Sequence, residues 1–309
     1  DDHLMRTTTV VRGGEWLASA PIHYELFHLL GFKMPAYAHT AHLMKFDEET
    51  GGKRKLSKRK DPELSLDYYR KDGYHPYTMK VYLLTLLNSN FEEWHEKFPD
   101  KDINEFPFSV EKMNQSGALF DKDKLHNICK NELSKLSEEE LYDFLYDWAK
   151  ENEPENVEKW FGDREKMLQI LRLYMGVGAK RRKDLMYAKQ IFELISYFFD
   201  GESAEEMDEF KLDEDMVSKI LKSYLAKYDH NDDNSVWFNK LKEIADEHGF
   251  ASDMKAYKAN PENFKGNVSD IAEAVRIAVT GRANTPDLWT IVHIMGEEQM
   301  TERIKKHIK

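Results

Sequence analysis

The chain has 309 residues, 41% hydrophobic and 33% charged, the balance of an ordinary soluble, helix-rich protein of two or three domains rather than a disordered one. Cys129 is the only cysteine, which excludes an intrachain disulfide and a multi-cysteine zinc site and makes a reducing cytoplasm the simplest setting. The net charge of −12 argues mildly against nucleic-acid binding, although RNA needs only a local basic surface; no signal peptide is expected, and no apolar run comes near the ~20 residues of a membrane span.

The opening Asp1-Asp2-His3-Leu4-Met5 has neither an initiator methionine nor the capping of a domain edge, and reads as a chain cut inside a domain. Residues 1–62 read as α/β. Thr7-Thr8-Thr9-Val10-Val11 is β-branched throughout, as in a buried strand, and Arg12-Gly13-Gly14-Glu15-Trp16 follows its end. A helix is expected from Pro21 to Leu30, with Pro21 in its first turn, Gly31 at C′ and Ile22, Leu26, Leu29 and Leu30 at helical spacing. A short apolar stretch around His42-Leu43-Met44 precedes a turn-rich, charged segment from Asp47 to Asp61.

Residues 63–135 read as mixed and mostly helical, with Met79 to Leu87 a buried helix and Pro107, Ser109 and Gly117 in loops. From 136 onward every pattern is helical. Ser137 and Glu140 form a capping box. Leu141, Phe144, Leu145 and Trp148 trace one helix face, as do Val217, Ile220, Leu221, Tyr224, Leu225 and Tyr228, and again Val268, Ile271, Ala272, Val275 and Val279 before Gly281. The acidic stretch from Asp200 to Asp215 reads as a solvated loop and helix start.

Two segments carry chemistry. In Lys53-Arg54-Lys55-Leu56-Ser57-Lys58-Arg59-Lys60, six of the eight residues are basic; such a cluster repels itself, so it is either a flexible solvated turn or a site facing an anion. Arg12, Glu15 and Trp16 lie past the C-terminal end of the first strand, the edge at which open α/β sheets bind ligands. A guanidinium there suits a carboxylate, and an indole suits a flat ring; an ordinary surface ion pair beside a core tryptophan is the alternative. Lys180-Arg181-Arg182-Lys183 is a second basic cluster, suited either to RNA phosphates or to a solvated helix start. Trp160, Phe161 and Trp237 are candidates to stack on unpaired bases, or core aromatics.

The order strand, Arg-Gly-Gly-Glu-Trp, helix, apolar strand, basic loop resembles the second half of a class I aminoacyl-tRNA synthetase nucleotide-binding fold. Lys55-Leu56-Ser57-Lys58-Arg59 is similar to the KMSKS loop in the form used by bacterial-type glutamyl-tRNA synthetases. The stretch from Asp1 through Trp16-Leu17 to Pro21 resembles the same family, with Gly14 standing where an acidic residue is usual. Phe120-Asp121-Lys122-Asp123-Lys124-Leu125 matches the family's F-D-x-x-K-L, whereas Asn127, Cys129 and Glu132 depart from what usually follows. Thr280-Gly281-Arg282, Thr285-Pro286 and Leu288 resemble the C-terminal helical domain.

The resemblance implies a Rossmann-type catalytic remnant over 1–62, a mostly α stem-contact region over 63–135 and an all-α anticodon-binding part over 136–309. It implies that Arg12 holds the carboxylate of substrate glutamate, that Glu15, Trp16 and Leu43 line the ATP site, and that Lys55 and Lys58 are catalytic, meeting ATP phosphates, with Ser57 and Arg59 shaping the loop. His39 matches a common histidine of the family. Lys180, Arg181, Arg182 and Lys183 would touch tRNA. ATP and Mg2+ would be required and zinc would not; the partners would be L-glutamate and tRNA(Glu), with tRNA(Gln) left open, for a cytoplasmic monomer. None of the twelve histidines stands in the class's HIGH-type setting, which belongs before Asp1, so this chain alone is expected not to form glutamyl-adenylate. The competing readings are a non-catalytic tRNA-binding module derived from a synthetase and a helical protein-interaction scaffold.

Overall fold

The computed structural model describes residues 1–47, 49–57, 59–114, 117–176, 181–199 and 207–309. The chain divides into two units, residues 1–135 with 186–188, and residues 136–185 with 189–309.

In the first unit, β1 (Thr9–Gly13) and β2 (Ala36–Thr40) pair in parallel, with Thr9 opposite Ala36 and Arg12 opposite His39. A 3-10 turn (Gly14–Ser19) and α1 (Ala20–Leu29) connect them, and Gly31 follows the helix at φ 66°, a backbone geometry that a Cβ disfavours. Two expectations need correction. The strand begins at Thr9 rather than Thr7 and takes in Arg12 and Gly13, because the parallel partner starts only at Ala36 and the ladder runs to Thr40. Nor is it a buried strand: Val11 is 53% exposed, and no residue of α1 is buried. Parallel strands are normally covered on both faces; among the described residues the apolar stripe of α1, with Ile22, Leu26 and Leu29, lies open.

A second sheet has the order β4-β3-β5. It comprises β3 (Leu43–Phe46), β4 (Lys53–Lys55) and β5 (Ala118–Leu119), with β3–β4 antiparallel and β3–β5 parallel. The charged segment read as turns thus contains a strand. Its cause is Asp47, whose carboxylate accepts hydrogen bonds from the backbone N–H groups of Glu49 and Thr50 and from the Thr50 hydroxyl at 3.0–3.1 Å. This Asx-type turn, with Gly51 at φ 68°, folds Lys53–Lys55 back on β3.

The rest of this unit is helical: α2 (Leu66–Asp72), α3 (Pro76–Leu87), α4 (Phe91–Lys97) and α5 (Lys122–Leu133). Tyr69, Tyr74, Tyr82, Leu125 and Cys129 form its core, with Met186 and Tyr187 packed against it. A neighbouring cluster joins Val81, Phe91, Ile103 and Phe106.

The second unit is built from α6 (Glu138–Asn152), α7 (Val157–Phe161), α8 (Arg164–Met175), α9 (Ala188–Ile195), α10 (Glu214–Lys227), α11 (Asn234–His248), α12 (Met254–Ala259), α13 (Val268–Thr280), α14 (Leu288–Met295) and α15 (Glu297–Lys305). The Ser137–Glu140 capping box is present in full. At its centre is α13, which packs on α10, α11, α14 and α15. Asn267 and Asp270 cap its start and Gly281 closes it at φ 74°. Ile271, Val275 and Ile277 are almost wholly buried in it. Among the described residues no helix is long and apolar enough to cross a membrane.

Candidate functional site

Arg12 is the penultimate residue of β1, and three neighbours fix its guanidinium. Its Nε donates to His39 Nε2 at 3.1 Å, Nη1 donates to His23 Nδ1 at 2.9 Å and Nη2 donates to the Trp16 carbonyl at 3.3 Å. Because arginine only donates, each imidazole must present an unprotonated nitrogen to it. The Tyr37 ring lies 4.6 Å from the guanidinium carbon, holding the plane by cation–π contact. The β1–β2 register supplies this arrangement, since it sets His39 directly opposite Arg12 with Tyr37 one step earlier. Three of the five N–H groups are used, which leaves two for a ligand.

Just past the strand end, Glu15 turns its carboxylate back over Gly13. A Cβ on Gly13 would fall 2.2 Å from Glu15 Oε2, so any larger residue there displaces the carboxylate. Gly14 is different: its Cβ would meet only the Thr40 carbonyl oxygen at 3.4 Å, an ordinary contact. The acidic residue usual at that place in the resembled family would therefore fit. The Glu15 carboxyl is held below the usual carboxylate range, first by its own backbone N–H, then by the Lys55 ammonium and the His42 imidazole. His42 Nδ1 lies 3.3 Å from Glu15 Oε2.

The basic segment has an internal anion that the charge pattern did not reveal. Asp61 is buried, and both its oxygens accept from Arg54, Nη1 and Nη2 each at 2.7 Å. It also accepts from the Ser57 backbone N–H at 2.7 Å and pairs with Lys45 Nζ at 3.1 Å. The Arg54 guanidinium, followed by the Ser57 amide and Lys45, drives this carboxyl far below the ordinary range. Arg54 is additionally anchored to Asp47 at 3.1 Å. The self-repelling cluster expected from composition is thus corrected: Arg54 neutralises a buried acid, while Lys55, Arg59 and Lys60 remain exposed. The signal was available in Asp61 itself, one residue past the run, but solvent exposure was the simpler reading of a charged segment.

The structure brings Arg12, Glu15 and Trp16 together at one end of the β1–β2 pair, and Lys55, the last residue of β4 in the second sheet, lies near enough for its charge to lower the Glu15 carboxyl. Trp16 is 51% exposed, with its ring centroid 6.0 Å from the Arg12 guanidinium carbon. Leu43 is half-buried at the start of β3, where its carbonyl accepts the Leu56 N–H at 2.9 Å. Ser57 is engaged with Asp61 through its backbone. Lys58 and Lys180 lie outside the described residues. Arg181, Arg182 and Lys183 are exposed, and Arg182 pairs with Asp184 at 2.5 Å. Among the aromatic candidates, Phe161 and Trp237 are buried and belong to the core; the indole N–H of Trp237 donates to the Tyr224 hydroxyl at 3.0 Å. Trp160, half-buried, is stacked on Phe192 at 3.9 Å. His23, Tyr37 and His42 were not singled out from sequence, because each acts through a partner distant along the chain, and Asp61 was not because its pairing with Arg54 needs the chain to double back.

Residues 1–127 match tRNA synthetases class I (E and Q), catalytic domain, and residues 154–308 match the anticodon binding domain. A glutamate–tRNA ligase of Acetivibrio thermocellus is 54% identical over 99% of this chain and 56% of its own length. That of Clostridium perfringens strain SM101 is 45% identical over 100% of this chain and 56% of its length. The chain therefore spans about half the length of the curated relatives it matches. Among solved structures, a glutamate tRNA ligase from Elizabethkingia meningosepticum has a TM-score of 0.68 at 22% identity, covering 99% of this chain and 58% of that one. The glutamate-tRNA synthetase of Elizabethkingia anophelis gives 0.66 at 23%, over 100% and 58%; at these identities the likeness is one of fold. With both of its segments matched in order, the chain belongs to the class I glutamyl-tRNA synthetase family, carrying part of the catalytic domain followed by the anticodon-binding domain.

Proposed function

We propose that this chain is the C-terminal part of a glutamate–tRNA ligase, supplying the phosphate loop, one wall of the amino-acid and ATP site, and the tRNA grip. The observation that carries this reading is the meeting of Arg12, Glu15 and Trp16 at one end of a parallel strand pair, with Lys55 near enough for its charge to lower the Glu15 carboxyl. In the first step a carboxylate oxygen of glutamate attacks the α-phosphorus of ATP, the bond to the bridging oxygen breaks, and pyrophosphate leaves. In the second, a ribose hydroxyl of tRNA attacks the acyl carbon and AMP leaves. Arg12 orients the substrate carboxylate through its two unspent N–H groups, and Trp16 and Leu43 take the adenine. Lys55 and Lys58 neutralise charge developing on the α-phosphate and pyrophosphate, with Ser57 and Arg59 shaping the loop. Mg2+ would be carried by the triphosphate, as is usual for this ion with nucleotides.

Residues 63–135 serve as the stem-contact region and 136–309 as the anticodon grip, with Arg181, Arg182 and Lys183 touching phosphates alongside Lys180. The partners are tRNA(Glu) and L-glutamate, in the cytoplasm, with the protein a monomer. The test is binding of the chain to tRNA(Glu) at two salt concentrations. Affinity should fall steeply with salt, and neutralising Arg181, Arg182 and Lys183 together should lower the slope of log affinity against log salt by about 2–3. Binding that is absent or indifferent to salt overturns the tRNA-grip assignment. Glutamyl-adenylate formation by the purified chain above background would refute its expected inactivity alone.

A further inference from the structure

Two arginines of the first unit are held in opposite ways. Arg54 sits on the carboxylate of Asp61 through Nη1 and Nη2, each at 2.7 Å, and Asp47 lies 3.1 Å from its Nε, so its charge is neutralised inside the protein. Arg12 has three hydrogen bonds as well, yet none of its acceptors carries charge. Nε donates to His39 Nε2, Nη1 to His23 Nδ1 and Nη2 to the Trp16 carbonyl, while the Tyr37 ring lies 4.6 Å from the guanidinium carbon. An imidazole that accepts at one nitrogen is the neutral form. Among the described residues Arg12 is in no ion pair; Glu15, the acid closest to it along the chain, has its carboxylate 3.3 Å from His42. Both imidazoles are placed by the backbone: His39 lies directly opposite Arg12 in the β1–β2 register, and His23 is in the opening turn of α1.

We propose that His23 and His39 are positioning residues that orient Arg12 while leaving its positive charge uncompensated for the carboxylate of the amino-acid substrate. The inference rests on the reading, given above, that Arg12 meets that carboxylate. An arginine side chain free in solvent must be ordered when its ligand binds, and that ordering opposes binding. A carboxylate partner would order it too. It would also compete with the substrate for the same N–H groups and cancel the field that draws the substrate in. A neutral imidazole nitrogen orders the guanidinium without that competition, and the Trp16 carbonyl does the same at Nη2. One hydrogen is left on each of Nη1 and Nη2, two donors for the two oxygens of one carboxylate.

The experiment compares wild type with His39→Ala, His39→Gln and His39→Glu in the 309-residue chain, titrated with L-glutamate. A glutamine amide reaches nearly the place of Nε2 as a neutral acceptor, and a glutamate carboxylate reaches it with a charge. NMR of the Arg12 Nε–H gives two readings: its exchange with water reports whether the guanidinium is held, and its shift on adding L-glutamate reports binding. In His39→Ala, exchange should quicken and affinity should fall about threefold or more, the scale of a part-exposed charged contact. His39→Gln should restore both. In His39→Glu, exchange should stay slow while affinity falls about tenfold or more, because the resident carboxylate takes up the charge. A merely structural role for His39 would not separate the two readings. Affinity unchanged in His39→Ala, His39→Gln behaving as His39→Ala, or His39→Glu binding L-glutamate as wild type does, overturns the inference and leaves the assignment of Arg12 standing. L-glutamate that leaves the wild-type Arg12 signal unmoved overturns that assignment and the inference with it. Should His39→Glu disturb the amide spectrum over 63–135, His23→Asp puts the same question at Nη1, with the same outcomes deciding it.

Discussion

Replacing Asp61 with alanine removes the anion on which the basic loop is built. Its side chain is fully buried and accepts two hydrogen bonds from Arg54 and one from the Ser57 amide, besides pairing with Lys45. Without it, Arg54 keeps only Asp47 and Lys45 only Glu63 for a counter-ion, and the Ser57 N–H loses its partner. Breaking a wholly buried pair costs about 3–5 kcal/mol. Here Arg54 and Lys45 are 28% and 27% exposed, so water takes over part of the loss and about 2 kcal/mol is expected for local opening. That corresponds to roughly 30-fold faster exchange, read at the amides of Ser57 and Leu56 by hydrogen exchange. The core around α3 and α5 is separate from this loop, so exchange there should hold.

Asp61→Asn keeps one carbonyl acceptor and should fall between the two. The pH dependence has a definite sign. The Asp61 carboxyl is depressed in the folded chain relative to its ordinary 3.8, so its contribution is complete above that value. It is lost only as pH falls through the lower folded value, and protection of Ser57 should be flat from about pH 8 to 5 once intrinsic exchange is corrected. Exchange at Ser57 within twofold of wild type in Asp61→Ala would refute the anchoring argument. So would loss of protection already near pH 6.

Three further outcomes follow from burial. Leu26→Lys and Leu29→Glu, on the open stripe of α1, should each shift the urea midpoint of unfolding by less than the equivalent of about 0.5 kcal/mol, and a loss above about 2 kcal/mol would mean that α1 is packed. Cys129, wholly buried with its thiol pushed up to about 11 by that burial, should resist alkylation at pH 8 in the folded chain and react in denaturant, which a mass-spectrometric time course would show. Ile271→Ala, at the centre of α13 with no exposed surface, should destabilise the helical unit by about 2–5 kcal/mol in urea unfolding.

The helices were the most legible part of the chain because each carries its own signals. Ser137 with Glu140 announced α6, and the spacing of Val268, Ile271 and Val275 before Gly281 announced α13; capping and a 3.6-residue stripe are local properties. What the sequence hid was pairing. Nothing in Lys53-Arg54-Lys55 favours a strand, and only the Asp47 turn and the edge of β3 make it one. The strand at Thr9–Gly13 was located but misjudged in burial, because β-branched composition reports what a strand is suited to, and not what lies against it in this chain.

The candidate site divides along the same line. Arg12, Glu15, Trp16 and Lys55 could be named from motif order, since each is defined by its distance along the chain from its neighbours. His23 and His39, which set the Arg12 guanidinium, come from a helix and from the parallel partner strand. Asp61 is only seven residues from Arg54, yet a bidentate pair of that kind requires the chain to double back through Leu56 and Ser57. A run of six cations beside one acid reads as excess positive charge; folded, the acid takes Arg54 out of that count, while Lys53, Lys55, Arg59 and Lys60 are exposed. Basic residue number is therefore a poor guide to a phosphate site. The useful quantity is how many cations stay unneutralised once every buried carboxylate has taken its partners.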